Sequence, residues 1–426
     1  MQIICGQLLE FTSDPIIGDN EPFSHTIQGA LVMDQGKILW RGNASDLPEE
    51  YDSLPRENYG DCLIMPGFID AHLHFPQYRM IAAFGKDLLD WLNRYTFIEE
   101  QRYGDADIAA AAATFFIDEL ARNGTTSCLA FSTIHEVALD ALFSEAQSRN
   151  MALISGKTMM DRNAPDGLLD TATSAYDQSK SLIEKWAGTS RLGYAVSPRF
   201  AVTSTPAQLD AAGTLFKEYP DTWMQTHLSE NHAEIASVAK DFPDCKDYTD
   251  VYDHFGLLGK KAMFAHGIHL SQRELDRLSE SGSAIVHCPT SNNFLGSGLF
   301  KYHATHRANV PIAMGTDIGG GTSYSMLETM RDAYIVSQLA GERISAYDAF
   351  YAASLGNARV LGLEQEIGTL NTGSFADIIV LDPKATPIMK ERHALSNSIH
   401  DVLFALMIMG DDRTVKQTFI AGVPQK

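Results

Sequence analysis

The chain has 426 residues, 45% apolar and 20% charged, proportions that exclude a disordered, collagen-like or disulfide-scaffold protein. Acidic residues outnumber basic ones by 54 to 33, a formal charge of −21, and no basic run interrupts this surface, so neither nucleic acid nor an anionic membrane is expected as a partner. Five cysteines without a CxxC pair suggest neither a thiol zinc site nor a disulfide framework and fit a reducing, cytoplasmic compartment.

The length allows two or three domains, or one large barrel with an attachment. Residues 1–12 lack the basic and apolar regions of a secretory signal. The apolar stretches 109–117 and 402–409 fall well below the ~18 residues a membrane span needs.

Residues 1–62 hold short strand-like pieces (2–5, 30–34 and 37–41) punctuated by Gly, Pro and Asn, without a long helical pattern. Apolar, β-branched runs then recur at 63–69, 125–130, 151–155, 191–196, 222–226, 261–265, 283–287 and 310–314. Segments of helical spacing separate them at 107–123, 136–149, 176–186, 206–217, 233–239 and 272–279. Eight strands alternating with helices predict a (β/α)₈ barrel of the TIM type over 63–365. The tail, 366–426, again reads as strand, at 377–381 and 415–420. The two ends are therefore expected to share one small discontinuous β-sandwich domain, since chain termini of compact proteins often lie close together.

The chemistry of such a barrel lies at the C-terminal ends of its strands. The first strand runs into Asp70-Ala71-His72-Leu73-His74, and a period of two puts both imidazoles on one face, where they could chelate a metal. With 14 histidines, a chance HxH is expected about 0.5 times in the chain, so the pair by itself could equally be two hydrogen-bonded core histidines. The other strand ends tip the balance: the fifth delivers His227 and, three residues later, Glu230; the sixth His266; the seventh His287; the eighth Asp317. Histidines with one carboxylate suit zinc or iron(II) in a hydrolase.

Glu230 could be a surface carboxylate, or it could carry a proton between water and a substrate ring nitrogen. In the run from His287 through Cys288 and Pro289 to Asn292, a role in orienting ligands or loops outranks direct ligation. His269, His303 and His306 follow no strand-end logic and read as surface or loop residues. Lys157, after the third strand, could bridge two metals if carboxylated, but a salt bridge and a single metal are the expectation. The glycines 319–321 lack the order of a phosphate loop and suggest a tight turn beside the metal. HExxH is absent, as is the cytidine-deaminase zinc pattern.

The run Pro66-Gly67-Phe68-Ile69-Asp70-Ala71-His72-Leu73-His74 resembles the first-strand signature of the amidohydrolase superfamily. The spacing to His227, His266 and Asp317, and the closing segment from Gly373 to Ile378, are similar to its deaminase and chlorohydrolase branch. Three features resemble the members of that branch that act on guanine: Phe75-Pro76-Gln77 after the HxH, the segment 88–97 (LLDWLNRYTF), and Pro198-Arg199-Phe200. Ile98 departs from the proline found there in many relatives.

The resemblance implies hydrolytic deamination of guanine to xanthine and ammonia by a cytoplasmic homodimer. One zinc per chain would be held by His72, His74, His227 and Asp317. His266 would contact the hydrolytic water or the metal, Asp317 would help deprotonate that water, and Glu230 would shuttle protons. His74, Phe75, Pro76, Gln77, Arg199 and Phe200, with His227, Glu230 and Asp317, would line a purine pocket. Chemistry supports part of this, because an Arg fork matches the adjacent O6 and N7 acceptors of guanine, while Gln77 offers both a donor and an acceptor to the N1, N2 or N3 edge. Another aminated heterocycle (a triazine, cytosine, 8-oxoguanine or an adenosine derivative) is the alternative substrate, and a non-catalytic barrel serving assembly the remote one.

Overall fold

The computed structural model describes residues 1–17, 21–86 and 88–426, the Leu89 side chain excepted. Four N-terminal strands, β1 (Gln2–Phe11), β2 (Phe23–Asp34), β3 (Lys37–Asn43) and β4 (Arg56–Pro66), are followed by the barrel strands. These are β5 (Phe68–His74), β6 (Thr125–Phe131), β7 (Ala152–Gly156), the short β8 (Thr158–Met159), β9 (Leu192–Pro198), β10 (Trp223–Leu228), β11 (Ala262–His266), β12 (Ala284–His287) and β13 (Ile312–Met314). The tail adds β14 (Ile378–Leu381), β15 (Val415–Ile420) and β16 (Val423–Pro424).

The chain ends form one seven-stranded sheet of order β16-β15-β14-β4-β1-β2-β3, in which only β1 and β4 run parallel. Ile4, Leu8, Leu31, Ile38, Ile64, Ile378 and Val380 fill one side of it. The middle of the chain forms an eight-stranded parallel path, β5-β6-β7-β9-β10-β11-β12-β13, with β8 paired to β9. Helices follow the strands because their apolar residues recur on one stripe. In Ala106–Arg122 the buried positions are Ala109, Ala112, Ala113, Phe116, Ile117, Leu120 and Ala121, and the Asp105 side chain caps the first turn.

No strand pairing joins β13 to β5 among the described residues; beyond the end of β13 the Asp317 N–H donates to the His72 carbonyl at 2.8 Å and the His74 N–H to the Ile318 carbonyl at 2.6 Å, and below them a side chain bridges the gap. Asn357, fully buried on the helix Asn357–Leu361, donates from Nδ2 to the carbonyls of Ile69 (2.6 Å) and Met314 (2.8 Å) and accepts the Met314 N–H at 2.9 Å. Above it Asp70 accepts both the N–H and the hydroxyl of Thr316.

The structure departs from the sequence expectations in two places. The predicted strand 63–69 is two strands: residues up to Pro66 belong to the terminal sheet, and the barrel begins at Phe68. One apolar run serves both, broken only at Gly67, where a Cβ would meet Thr126 Oγ1 at 2.1 Å. The tail also contains two helices that its strand-like reading omits, Pro387–His393 and Ile399–Met409. The second is so apolar that its helical period is masked, and it packs on the helix Met326–Leu339 through faces that include Leu403, Leu406 and Met407. No helix among the described residues is long and apolar enough to cross a membrane.

Candidate active site

The strand ends converge as their spacing demands. One ligand atom each from His72, His74, His227 and Asp317 lies within 4.8 Å of the others. His72 and His74 project from β5, His227 from β10, and Asp317 from the loop after β13. Three rim residues, Ser229, His266 and Asp317, hold left-handed backbone (φ 48°, 72° and 54°), a conformation that costs a non-glycine residue about 1–3 kcal/mol and is characteristic of sites where the chain must turn sharply to aim a side chain. Gly315, just before, lets the loop cross β5, since a Cβ there would stand 2.7 Å from the His72 backbone.

The donor set suits a cation. His227 donates Nδ1–H to the Arg199 carbonyl at 2.7 Å, which leaves its Nε2 as a lone pair, 3.2 Å from His74 Nε2. Asp317 Oδ1 stands 3.2 Å from His74 Nε2 and 3.3 Å from His72 Nε2, and His72 Nε2 is buried without a hydrogen bond. Burial pulls the His74 imidazole down to about 3 and the His227 imidazole well below its usual value, so both are neutral ligands at pH 7. Burial would raise the Asp317 carboxyl, but His72 and His74 beside it hold it well below the carboxylate range. A cluster of lone pairs around one anion is the charge pattern a metal ion completes.

Glu230 and His266 stand next to this group, with His266 Nε2 3.4 Å from Glu230 Oε2 and 3.8 Å from Asp317 Oδ2. His266 donates Nδ1–H to Asn292 Oδ1 at 2.8 Å, so its Nε2 faces the site as an acceptor. Burial first, then the charge of Asp317, pushes the Glu230 carboxyl up to about 8, offset in part by a 2.9 Å hydrogen bond from the Ser297 hydroxyl. Glu234 fixes the backbone here: it accepts the N–H groups of Glu230 and Asn231, closing the capping box of the helix His232–Asp241.

A cavity of roughly 390 Å³ opens onto these groups, lined also by Gln77, Leu88, Trp91, Leu92, Arg199, Phe200, Leu295 and Gly320. Of the predicted purine-pocket residues, His74, Gln77, Arg199, Phe200, His227, Glu230 and Asp317 reach its wall. Phe75 and Pro76 do not: the Phe75 ring is fully buried against Tyr103 and Phe116, because it follows His74 on the opposite face of the chain. The segment 88–97 contributes Leu88, Trp91 and Leu92 from short helical turns over the mouth.

Other expectations resolve as follows. Lys157 is buried in a 2.5 Å ion pair with Asp170 and lines no part of the cavity. His287 stacks on Phe300 at 4.4 Å, while Asn292, from the same run, orients His266. Cys288 Sγ lies within 4.8 Å of ligand atoms of His266 and Asp317, a proximity that no motif spacing announces. His269, read as a loop residue, donates to the Ser297 carbonyl at 2.8 Å and so steadies the hydroxyl that Glu230 uses. The glycines are spatial: a Cβ on Gly319 would meet the Gln77 carbonyl at 2.4 Å, and one on Gly320 the Ser291 hydroxyl at 2.7 Å. Sequence reasoning missed Glu100, a fully buried carboxylate behind the pocket; it sits in a helical stretch among acidic residues that carry no comparable role.

The chain belongs to the amidohydrolase family, whose profile matches residues 63–424. Its relatives include guanine deaminases. It is 50% identical over 395 residues to the guanine deaminase of Escherichia coli, covering 92% of this chain and 90% of that protein. The solved structure of E. coli guanine deaminase superposes with a TM-score of 0.95 at 46% identity, covering 100% of this chain and 99% of that one. A guanine deaminase from C. acetobutylicum with guanine bound in its active site matches with a TM-score of 0.89 at 29% identity, over 99% of both chains.

Proposed function

We propose that this protein is a zinc-dependent guanine deaminase, converting guanine and water to xanthine and ammonia. One observation carries the reading: a buried His₃Asp group, the buried carboxyl of Glu230 beside it and a Gln–Arg pair converge on one small cavity. The relationship to guanine deaminases over nine-tenths of the chain supports it. His72, His74, His227 and Asp317 would hold one zinc per chain; when bound, zinc brings the acidity of a water molecule near neutrality.

The protein's own groups do the rest. Arg199 donates to O6 and N7 of the ring, Gln77 holds the N1, N2 or N3 edge, and Phe200 with Trp91 and Leu92 forms the apolar walls. Asp317 accepts a proton from the hydrolytic water while its oxygen bonds to C2. Glu230, protonated at neutral pH, donates to the ring nitrogen beside C2, and His266 Nε2 accepts a hydrogen bond from the attacking oxygen. Asp317 then passes its proton to the exocyclic amine, the C2–N bond breaks to release ammonia, and the hydroxyl proton left on the C2 oxygen goes to the Glu230 carboxylate as the carbonyl forms, restoring both groups. The same reading expects a homodimer in the cytoplasm, in keeping with five unpaired cysteines.

The test is ammonia release from guanine, cytosine, adenine, 8-oxoguanine and melamine, before and after removal of metal. Guanine should dominate. Faster turnover of any other member of the panel would replace guanine as the substrate, and no release from any would remove the enzymatic reading.

A further inference from the structure

Glu100 is fully buried, does not reach the cavity wall, and holds two polar side chains that do, Gln77 and Arg199. Its Oε1 accepts from Gln77 Nε2 at 2.7 Å and from Arg199 Nη1 at 2.9 Å; its Oε2 accepts from the same Arg199 nitrogen at 3.0 Å. Arg199 lies 3% exposed, over the Phe97 ring at 5.7 Å, and Glu100 is the only carboxylate paired with it among the described residues. At its other end, Gln77 Oε1 accepts the Gly319 N–H at 3.2 Å.

These contacts fix more than position. An amide with its NH₂ on a carboxylate and its oxygen on an N–H cannot flip, because flipping would set donor against donor and acceptor against acceptor. The Gln77 donor and acceptor are therefore presented to the cavity in one order. Arg199 commits Nη1 to Glu100, which leaves Nε and Nη2 as the edge that faces a ligand. The carboxylate also balances the guanidinium of Arg199, the residue whose backbone carbonyl accepts from the metal-group histidine His227.

We infer that Glu100 is the specificity-determining positioning residue of the pocket: acting through Gln77 and Arg199, it makes the enzyme read the O6/N7 edge of the purine. The inference rests on the guanine reading above. A glutamine at 100 would set its NH₂ against Arg199 Nη1 if it replaced Oε2, and against both Nη1 and Gln77 Nε2 if it replaced Oε1, so a donor must move in either orientation.

The experiment compares kcat/KM for guanine and for 7-deazaguanine, which lacks the N7 acceptor, in the parent, Glu100→Gln and Glu100→Asp, with zinc content and Tm measured alongside. The parent should prefer guanine by at least tenfold. In Glu100→Gln guanine kcat/KM should fall by about 10²-fold, mainly through KM, with zinc retained and the guanine preference reduced to less than threefold. Glu100→Asp keeps the charge, and with it the fold, but is too short to reach both partners; it should lose at least half of the preference on a logarithmic scale, and it decides the matter alone if the glutamine variant does not fold. A preference unchanged in the folded variants, with both substrates slowed equally, would reduce Glu100 to a structural ion pair and overturn the inference. A parent that does not distinguish the two purines would also overturn it, while a parent inactive on guanine would instead sink the proposed function.

Discussion

Removing the side chain of Asn357 tests whether one amide closes the barrel. Asn357→Ala would leave the Ile69 carbonyl and both backbone groups of Met314 without the partners they have at 2.6–2.9 Å. Each stranded buried group costs about 1–3 kcal/mol, so three amount to roughly 3–6 kcal/mol after allowance for entry of water. That is a large share of the 5–15 kcal/mol typical of a whole domain. The loss should also reach the metal group, because His72 follows Ile69 by three residues and Asp317 follows Met314 by three. We expect urea unfolding midpoints lowered by the equivalent of about 4 kcal/mol and zinc affinity weakened at least ~10-fold. Unfolding must be followed both in chelator and in saturating zinc, since a ligand bound only to the native state adds its own stability. Asn357→Asp preserves volume but cannot donate to two carbonyls, and should fare no better than alanine. A loss below ~1 kcal/mol with unchanged zinc affinity would mean that the Asp70–Thr316 contacts and the backbone bonds from Asp317 to His72 and from His74 to Ile318 close the barrel unaided.

Three further outcomes follow from the site. Glu230→Gln should lower kcat for guanine by at least ~10²-fold with zinc retained and KM little changed, as steady-state kinetics and elemental analysis would show; parent-like turnover would make Glu230 a mere wall of the cavity. Exhaustive chelation should remove about one zinc per chain together with all activity, and re-addition should restore it; two metals per chain would require ligands beyond the His₃Asp group. Burial raises the Glu234 carboxyl to about 7, so the folded state holds a proton that the unfolded chain gives up near pH 4.5. Its contribution is complete below that pH and is lost as pH rises to about 7, a matter of a few kcal/mol. Glu234→Gln, which can still accept from the two backbone N–H groups, should therefore gain Tm relative to the parent between pH 5 and 7.5; parallel Tm curves would contradict the raised value.

How much the sequence discloses depends on whether a feature is local. Barrel strands and their helices announce themselves by period, and metal-group residues by their place at strand ends, so His72, His74, His227 and Asp317 are legible one strand at a time. Gly67 hides a strand boundary because a glycine inside an apolar run looks the same whether the chain turns or continues. Glu100, Asn357, Asn292 and Ser297 are illegible for a common reason: each acts on a partner 23 to 288 residues away, and nothing in its own neighbourhood distinguishes it from a surface polar residue. Phe75 shows the converse, since a motif position inherited from a resemblance need not face the ligand.

The terminal sheet has a consequence for synthesis. Strands β1 to β4 can pair as soon as they emerge, but the outer edge of β4, Leu63 to Pro66, waits for Ile378–Leu381. At roughly 5–20 residues per second the intervening three hundred residues take on the order of 15–60 s to translate. Throughout that interval an apolar strand edge on the nascent chain stands open to any other strand that reaches it. The same run of chain leads directly into the β5 histidines, so mispairing at that edge would misplace half of the metal group before the barrel exists.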